Sequence, residues 1–405
     1  MAVTFARGFR AGTAACGIKA FTAGATAIPS QQRDDLCVVV SDTACDTGGV
    51  FTTNKVKSAS VVIDHLHLQH NRVRALVINS GNANACTGAQ GFKDALLMAK
   101  LTADRLDLDP DQVLVSSTGV IGRYMPMDAV KAGIAGACAD LDPSHGETAA
   151  RAIMTTDTVP KTAELEVLIG GTGVRIGGMC KGSGMIHPNM ATMLAYITTD
   201  AAVESGLMAS MVKAVADGSF NQVTVDGDSS TNDTFLLLAN GGAGNTPITG
   251  GSPEAAELEA AVLEVAQRLA RSIARDGEGA TKLMTVRVKG AASGPDASLA
   301  ARSVASSSLV KTAIHGGDPN WGRVVCALGY SGAELALDRL QLSIGGLTVF
   351  ERGGGVEVDL AAVRHVFEQP EIEIVAALGI GDGTAEAWGC DLSEEYVRIN
   401  ADYTT

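Results

Sequence analysis

Six loops of this 405-residue chain combine glycine with small polar or charged side chains. They are NSGNANACTG at 79–88, SSTGVIG at 116–122, CKGSGMIHPNMATML at 180–194, VDGDSSTND at 225–233, DGEGATK at 276–282 and HGGDPNWGR at 315–323. Such loops bring backbone N–H groups close to a ligand or to each other. In SSTGVIG, Thr118 and Gly119 could aim a hydroxyl and an N–H at a developing oxyanion. A serine–threonine turn leading into a helix accounts for the same letters.

Phosphate and metal chemistry find no matching pattern. A Walker loop needs GxxxxGK[ST], and Lys181-Gly182-Ser183-Gly184 has neither its order nor its spacing. Asp226, Asp228 and Ser230 alternate as in a calcium loop, but the sixth position is Thr231 and the twelfth Leu237, so a turn network is the better reading. The seven histidines show no HExxH-like spacing and the eight cysteines no CxxC pair, so no metal and no cofactor are expected. By itself Lys181 reads as a surface lysine beside a turn, and Glu278, between two glycines, as a solvated loop acid. Cys180 reads as a buried filler and His187 as a structural histidine.

The elements that must carry these loops alternate between β-rich and amphipathic runs. CVVV at 37–40, ALVIN at 75–79, QVLVS at 112–116 and AELEVLIG at 163–170 predict strands. Residues 92–106 and 126–141 predict helices with an apolar stripe. Ser252, Pro253 and Glu254 signal the start of a long helix that runs to about Arg275, where Gly277 and Gly279 end it. Further helices are expected near 297–313 and 359–368, with strands near 282–290, 340–346 and 371–379. The fold class is therefore mixed α/β with layered packing. The Gly-, Pro- and Thr-rich stretch at 239–253 is the candidate lobe boundary or exposed loop.

Composition narrows the class of function. Hydrophobic residues make up 46% and charged ones 19%, which predicts a sizeable core. A net charge of −14 argues against nucleic acid or an anionic membrane as partner. No run suggests a signal peptide or a membrane span, and scattered cysteines in a chain of this size suit a reducing cytoplasm.

KGSGMIHPNMATMLAYITTD at 181–200 resembles the signature of the ornithine acetyltransferase family, the bifunctional glutamate N-acetyltransferase and amino-acid acetyltransferase of arginine biosynthesis. The likeness runs through GFRAG, NSGNANACTG, SSTGVIGRYMPM, MTTDTVPK, VDGDSSTNDT, ARDGEGATK, HGGDPNWGR and a terminal RINADYTT. It implies an αββα-type lobe similar to N-terminal-nucleophile aminopeptidases, with a second, smaller α/β lobe. It also implies self-cleavage between Ala191 and Thr192, giving an α chain of 1–191 and a β chain of 192–405. Thr192 would then be the nucleophile, with its free α-amine as base.

The same resemblance assigns Thr118 and Gly119 to the oxyanion hole. Thr158, Lys181, Thr192, Glu278, Asn400 and Thr405 become amino-acid-binding residues. The implied reaction carries an acetyl group from N2-acetyl-L-ornithine to L-glutamate, releasing ornithine and N-acetylglutamate, in an α2β2 assembly. Acetyl-CoA is a possible second donor. The rival readings are a self-cleaving aminopeptidase or amidase, which would pass the acyl group to water, and a binding protein that kept the fold without the chemistry.

Overall fold

A computed structural model describes residues 1–19, 33–70, 72–187 and 193–402. Strands β1 (Phe9–Ala14), β2 (Leu36–Phe51), β3 (Val73–Asn82) and β4 (Val113–Val120) form one half of an eight-stranded sheet. Helices α1 (Ala59–His67), α2 (Gly88–Leu106) and α3 (Met127–Ala139) cover one face of that half, and α4 (Gly146–Ala152) packs against its β1 side. The other half contains β5 (Lys161–Ile169), β6 (Thr172–Lys181), β7 (Leu194–Thr199) and β8 (Thr234–Ala239). Its outer face carries α5 (Leu207–Asp217) and α6 (Pro253–Arg275). The strand order is β4-β3-β2-β8-β7-β6-β5, with β1 on the side of β2.

Alternation along these strands produces the layers. Leu36, Val38 and Val40 face the first helices, whereas Cys37 and Val39 face inward. Ala195 and Ile197 face α5 and α6, whereas Leu194 and Tyr196 point inward, where they share a core with Leu76, Ile78 and Leu114. Side chains with a period of two thus feed two different cores from one strand, and both faces are dry. The result is helix, sheet, sheet, helix: the αββα arrangement expected from the resemblance.

A smaller lobe follows. Strands β9 (Leu283–Ala291), β10 (Gln341–Ile344), β11 (Leu347–Glu351), β12 (Gly354–Gly355), β13 (Glu371–Ala377) and β14 (Gly383–Cys390) form a six-stranded mixed sheet. It shares a core with α7 (Gly294–Ser306), α8 (Ser308–Gly316), α9 (Trp321–Gly329) and α10 (Leu360–Phe367). The terminal helix α11 (Glu394–Asp402) returns to the first lobe, where its Asn400 meets Glu278.

Two expectations need adjustment. The helix near 297–313 is two helices, because Ser307 is extended and its hydroxyl caps the next one at Val310 N. The stretch at 239–253 is a largely exposed loop, the second of the two readings given for it; β8 before it and α6 after it pack in the same core. The passage from one sheet to the other falls instead at 276–282, between α6 and β9. Among the described residues no helix is long and apolar enough to cross a membrane.

Candidate active site

Thr118 and Gly119 stand near the end of β4, which runs parallel to β3 with Gly81 opposite Gly119. Gly119 has φ +130, and a Cβ there would lie 2.2 Å from the Gly81 carbonyl carbon, so only glycine fits. Asn232 ties this strand end to its neighbours: its Nδ2 donates to Ala83 O at 2.6 Å and Ser117 O at 2.8 Å. The Thr118 side chain is buried, and its Oγ1 lies 3.4 Å from Lys181 Nζ.

Lys181 closes β6, opposite Leu194 at the start of β7. Its side chain is buried rather than exposed, so the surface-lysine reading does not hold for it. Burial pushes the ammonium below the usual lysine range; Asp157 and, after it, Glu278 and Asp233 oppose that, while Lys161 adds to it. Behind Lys181 lies a buried charge network. Asp157 Oδ1 accepts from Lys161 Nζ at 2.7 Å and from Gly182 N at 2.7 Å, and Lys161 Nζ also donates to Asp276 Oδ2 at 2.5 Å. Burial works against the Asp157 charge, but Lys181, Lys161 and these hydrogen bonds outweigh it and bring its carboxyl down to about 2.

Glu278 follows α6 on the far wall. Its N–H donates to Ser183 O at 2.9 Å, and its Oε2 accepts from Asn400 Nδ2 at 2.8 Å. The carboxylate lies flat against Gly184, where a Cβ would be 2.4 Å from it. Thr118, Gly119, Lys181, Glu278 and Asn400 therefore line one cleft, together with Asp226, Asp228 and Tyr396. Asp226 also fixes the 185–186 loop by accepting from Met185 N and Ile186 N, while within 225–233 Asp228 N donates to Asp226 Oδ1 at 3.2 Å and Asn232 N to Ser230 Oγ at 3.1 Å, a local turn network.

Thr158 is not in that cleft. It is exposed, its N–H donates to Asp276 Oδ2 at 3.0 Å and its hydroxyl to Asp276 Oδ1, and it lines a separate depression beside Arg268, Arg271 and Arg275. Ala191, Thr192 and Thr405 lie outside the described residues. The residue directly after Thr192 is described: Met193 N donates to Asp233 Oδ1 at 3.0 Å. His187 contacts Thr224 Oγ1 at 3.3 Å and does not line the cleft. The Cys180 thiol is buried and pushed up to about 12 by that burial, which leaves it a neutral filler.

The cleft brings the Thr118 hydroxyl, the Gly119 backbone, the Lys181 amine and the Glu278 carboxylate with its Asn400 amide partner together. That set suits an acyl group carried on a zwitterionic amino acid. A profile described as ArgJ family matches residues 10–405. The chain belongs to the ArgJ family. The arginine biosynthesis bifunctional protein ArgJ of Symbiobacterium thermophilum is 50% identical over 403 residues, covering 100% of this chain and 98% of that protein. The ArgJ of Dehalococcoides mccartyi is 46% identical, covering 100% of this chain and 97% of its own. Among solved structures, the ArgJ of Bacillus halodurans is 40% identical, covering 51% of this chain and 97% of that one, with a TM-score of 0.49.

Two acids of the site escaped the sequence reading. Asp157 sits in MTTDTVPK, four residues before Lys161, a spacing that signals a local ion pair but not its place behind Lys181. Asp233 ends VDGDSSTND, where it reads as one more turn residue; only the strand pairing brings it to Met193.

Proposed function

We propose that this chain transfers the acetyl group of N2-acetyl-L-ornithine to L-glutamate through an acetyl ester on Thr192, within arginine biosynthesis. The observation that carries the reading is the convergence of Thr118, Gly119, Lys181, Glu278 and Asn400 on one cleft, in a member of the ArgJ family whose β7 begins two residues after Thr192.

The steps follow from the groups present. Thr192 Oγ attacks the Ala191 carbonyl, the peptide becomes an ester, and water releases a new N-terminal threonine. Its α-amine, with a reference pKa of about 7.7–8.0, takes the hydroxyl proton near neutrality. Lys181 receives the substrate carboxylate, and Glu278 with Asn400 the δ-ammonium of N2-acetylornithine, whose α-nitrogen is the amide that reacts. The hydroxyl attacks the acetyl carbonyl, and the oxyanion forms against Thr118 and Gly119. The C–N bond then breaks, and ornithine leaves as the amine with the proton that the Thr192 α-amine had taken from the hydroxyl. Glutamate's amine then attacks the ester and restores the hydroxyl. One amide is exchanged for another, so no ATP, metal or organic cofactor is needed.

Acetyl-CoA serves as a second donor in this reading, in line with the relatives being described as bifunctional. An α2β2 assembly in the cytoplasm completes it, and all eight cysteines being free suits that compartment. N-terminal sequencing tests the centre of the proposal. Wild type is expected to give two chains, one beginning Thr192-Met193-Leu194, and Thr192→Ala a single chain without acetyl transfer. A wild-type protein that stays whole, or a new terminus elsewhere, refutes it. Glutamate-dependent thiol release from acetyl-CoA tests the second donor.

A further inference from the structure

Lys181 is a buried cation with work to do, and burial alone favours its neutral form. The groups that face it come from five segments. Asp157 and Lys161 lie at and before the start of β5, Glu278 follows α6, Asp233 precedes β8, and Lys19 comes from the N-terminal segment; the Cys180 thiol precedes it on its own strand. Lys161 is shared between Asp157 and Asp276, so that trio carries one net negative charge, which Lys181 balances.

We infer that Asp157 is a positioning residue for acetyl transfer: without touching substrate, it keeps Lys181 charged and ready for the carboxylate of the amino acid. The inference rests on Lys181 being the carboxylate-binding group, as proposed above. Three observations support it. Asp157 Oδ2 lies 4.0 Å from Lys181 Nζ, close enough for attraction but too far for a hydrogen bond, so the ammonium keeps its donors for the cleft. The carboxylate is held by Lys161 Nζ, Gly182 N and Thr155 N, so it is fixed in place. It is wholly buried and does not line the cleft, so it cannot meet the substrate itself.

The pH profile of kcat/KM for acetylornithine tests this. In Asp157→Asn the alkaline limb is expected to move down by roughly one to three pH units, the range by which a close opposite charge shifts a partner. KM should rise more than kcat falls, and lowering the pH should recover much of the loss, which a merely distorted site would not show. The double variant Lys161→Met with Asp276→Asn removes the neighbouring pair together; it relieves the repulsion on Lys181, so its limb should move up. If Asp157→Asn folds and its limb matches wild type, the inference fails. If Asp157→Asn does not fold, a limb unmoved in the double variant overturns it, and an upward move supports it. Lys181→Met separates the two ideas: an unchanged KM for both amino acids removes the carboxylate-binding reading, whereas a raised KM with an unmoved Asp157→Asn limb removes only this inference.

Discussion

Replacing Gly184 by alanine should damage substrate binding while sparing the fold. A Cβ at this position lies 2.4 Å from the Glu278 carboxyl carbon and Oε2, whereas ordinary contact begins near 3.4 Å, so the carboxylate must retreat by the difference, about 1.0 Å. The Asn400 Nδ2–Glu278 Oε2 bond of 2.8 Å cannot survive that shift in its present form. A hydrogen bond to a charged group is worth about 1.5–3 kcal/mol, which corresponds to roughly 10- to 150-fold in kcat/KM. The loss should fall mainly on KM for acetylornithine, because the displaced carboxylate binds its free δ-ammonium in the proposed site. Gly184 is not in the left-handed region and the clash meets the end of a flexible side chain, so the backbone need not move. Steady-state kinetics with each substrate varied, alongside thermal unfolding, give the two readouts. A variant with kcat/KM within about twofold of wild type would refute the placing of Glu278 on substrate. A collapse of the thermal midpoint would show that the strain goes into the backbone instead.

Thr118→Ala should cut the acetylation rate of the enzyme by about 10²- to 10³-fold in single-turnover assays, as expected for one oxyanion donor, with little change in KM. Asp64 is buried with its Oδ2 unpartnered, and burial raises its carboxyl well above the usual range against the single N–H of Val115. The folded chain therefore holds a proton that the unfolded chain releases, so stability falls as pH rises above about 4, at up to about 1.4 kcal/mol per unit. Urea unfolding of Asp64→Asn should show a shallower decline over that window, and parallel slopes would contradict the account. Ser252→Ala removes the hydroxyl that accepts from Ala255 N at 3.1 Å at the start of α6 and should cost about 1 kcal/mol by the same measurement.

What could be read in the sequence depended on whether local pattern and tertiary need agreed. CVVV and ALVIN read as strands because both their faces are dry, which leaves a nearly continuous apolar run. Strand β6, VRIGGMCK in its latter part, gave no such signal because its glycines answer to packing. A Cβ at Gly177 would lie 2.0 Å from Ala2 O, and one at Gly178 would lie 2.9 Å from Leu269 Cδ1. The second half of β2 hides for the same reason, since a Cβ at Gly48 would meet Met208 O at 2.4 Å. In the cleft, Glu278 and Asn400 are 122 residues apart, and Lys181 reaches Thr118 across 63. No window of sequence contains such pairs, so they were legible only through the family resemblance. The charge state of Lys181 was not legible at all, because it depends on Asp157, whose part in the site exists only after β5 and β6 have paired.

The position proposed for the cut suits the topology. Residues 182–193 join the ends of β6 and β7, where Lys181 and Leu194 already stand opposite each other. A break after Ala191 would leave β5 and β6 on one chain and β7 and β8 on the other. Yet the ladder between β6 and β7 has six residue pairs across the break, and that between β2 and β8 has six more. The two pieces would also share the core in which Met179 and Leu76 meet Tyr196 and Leu236. Opening one peptide bond in this link would therefore free an amine without surrendering any part of the β6–β7 or β2–β8 ladders. A cut within a strand would forfeit ladder hydrogen bonds in a dry interior, and a cut in a distant loop would free an amine far from Thr118 and Lys181. The link between β6 and β7 interrupts neither strand, and it begins at Lys181, a residue of the cleft.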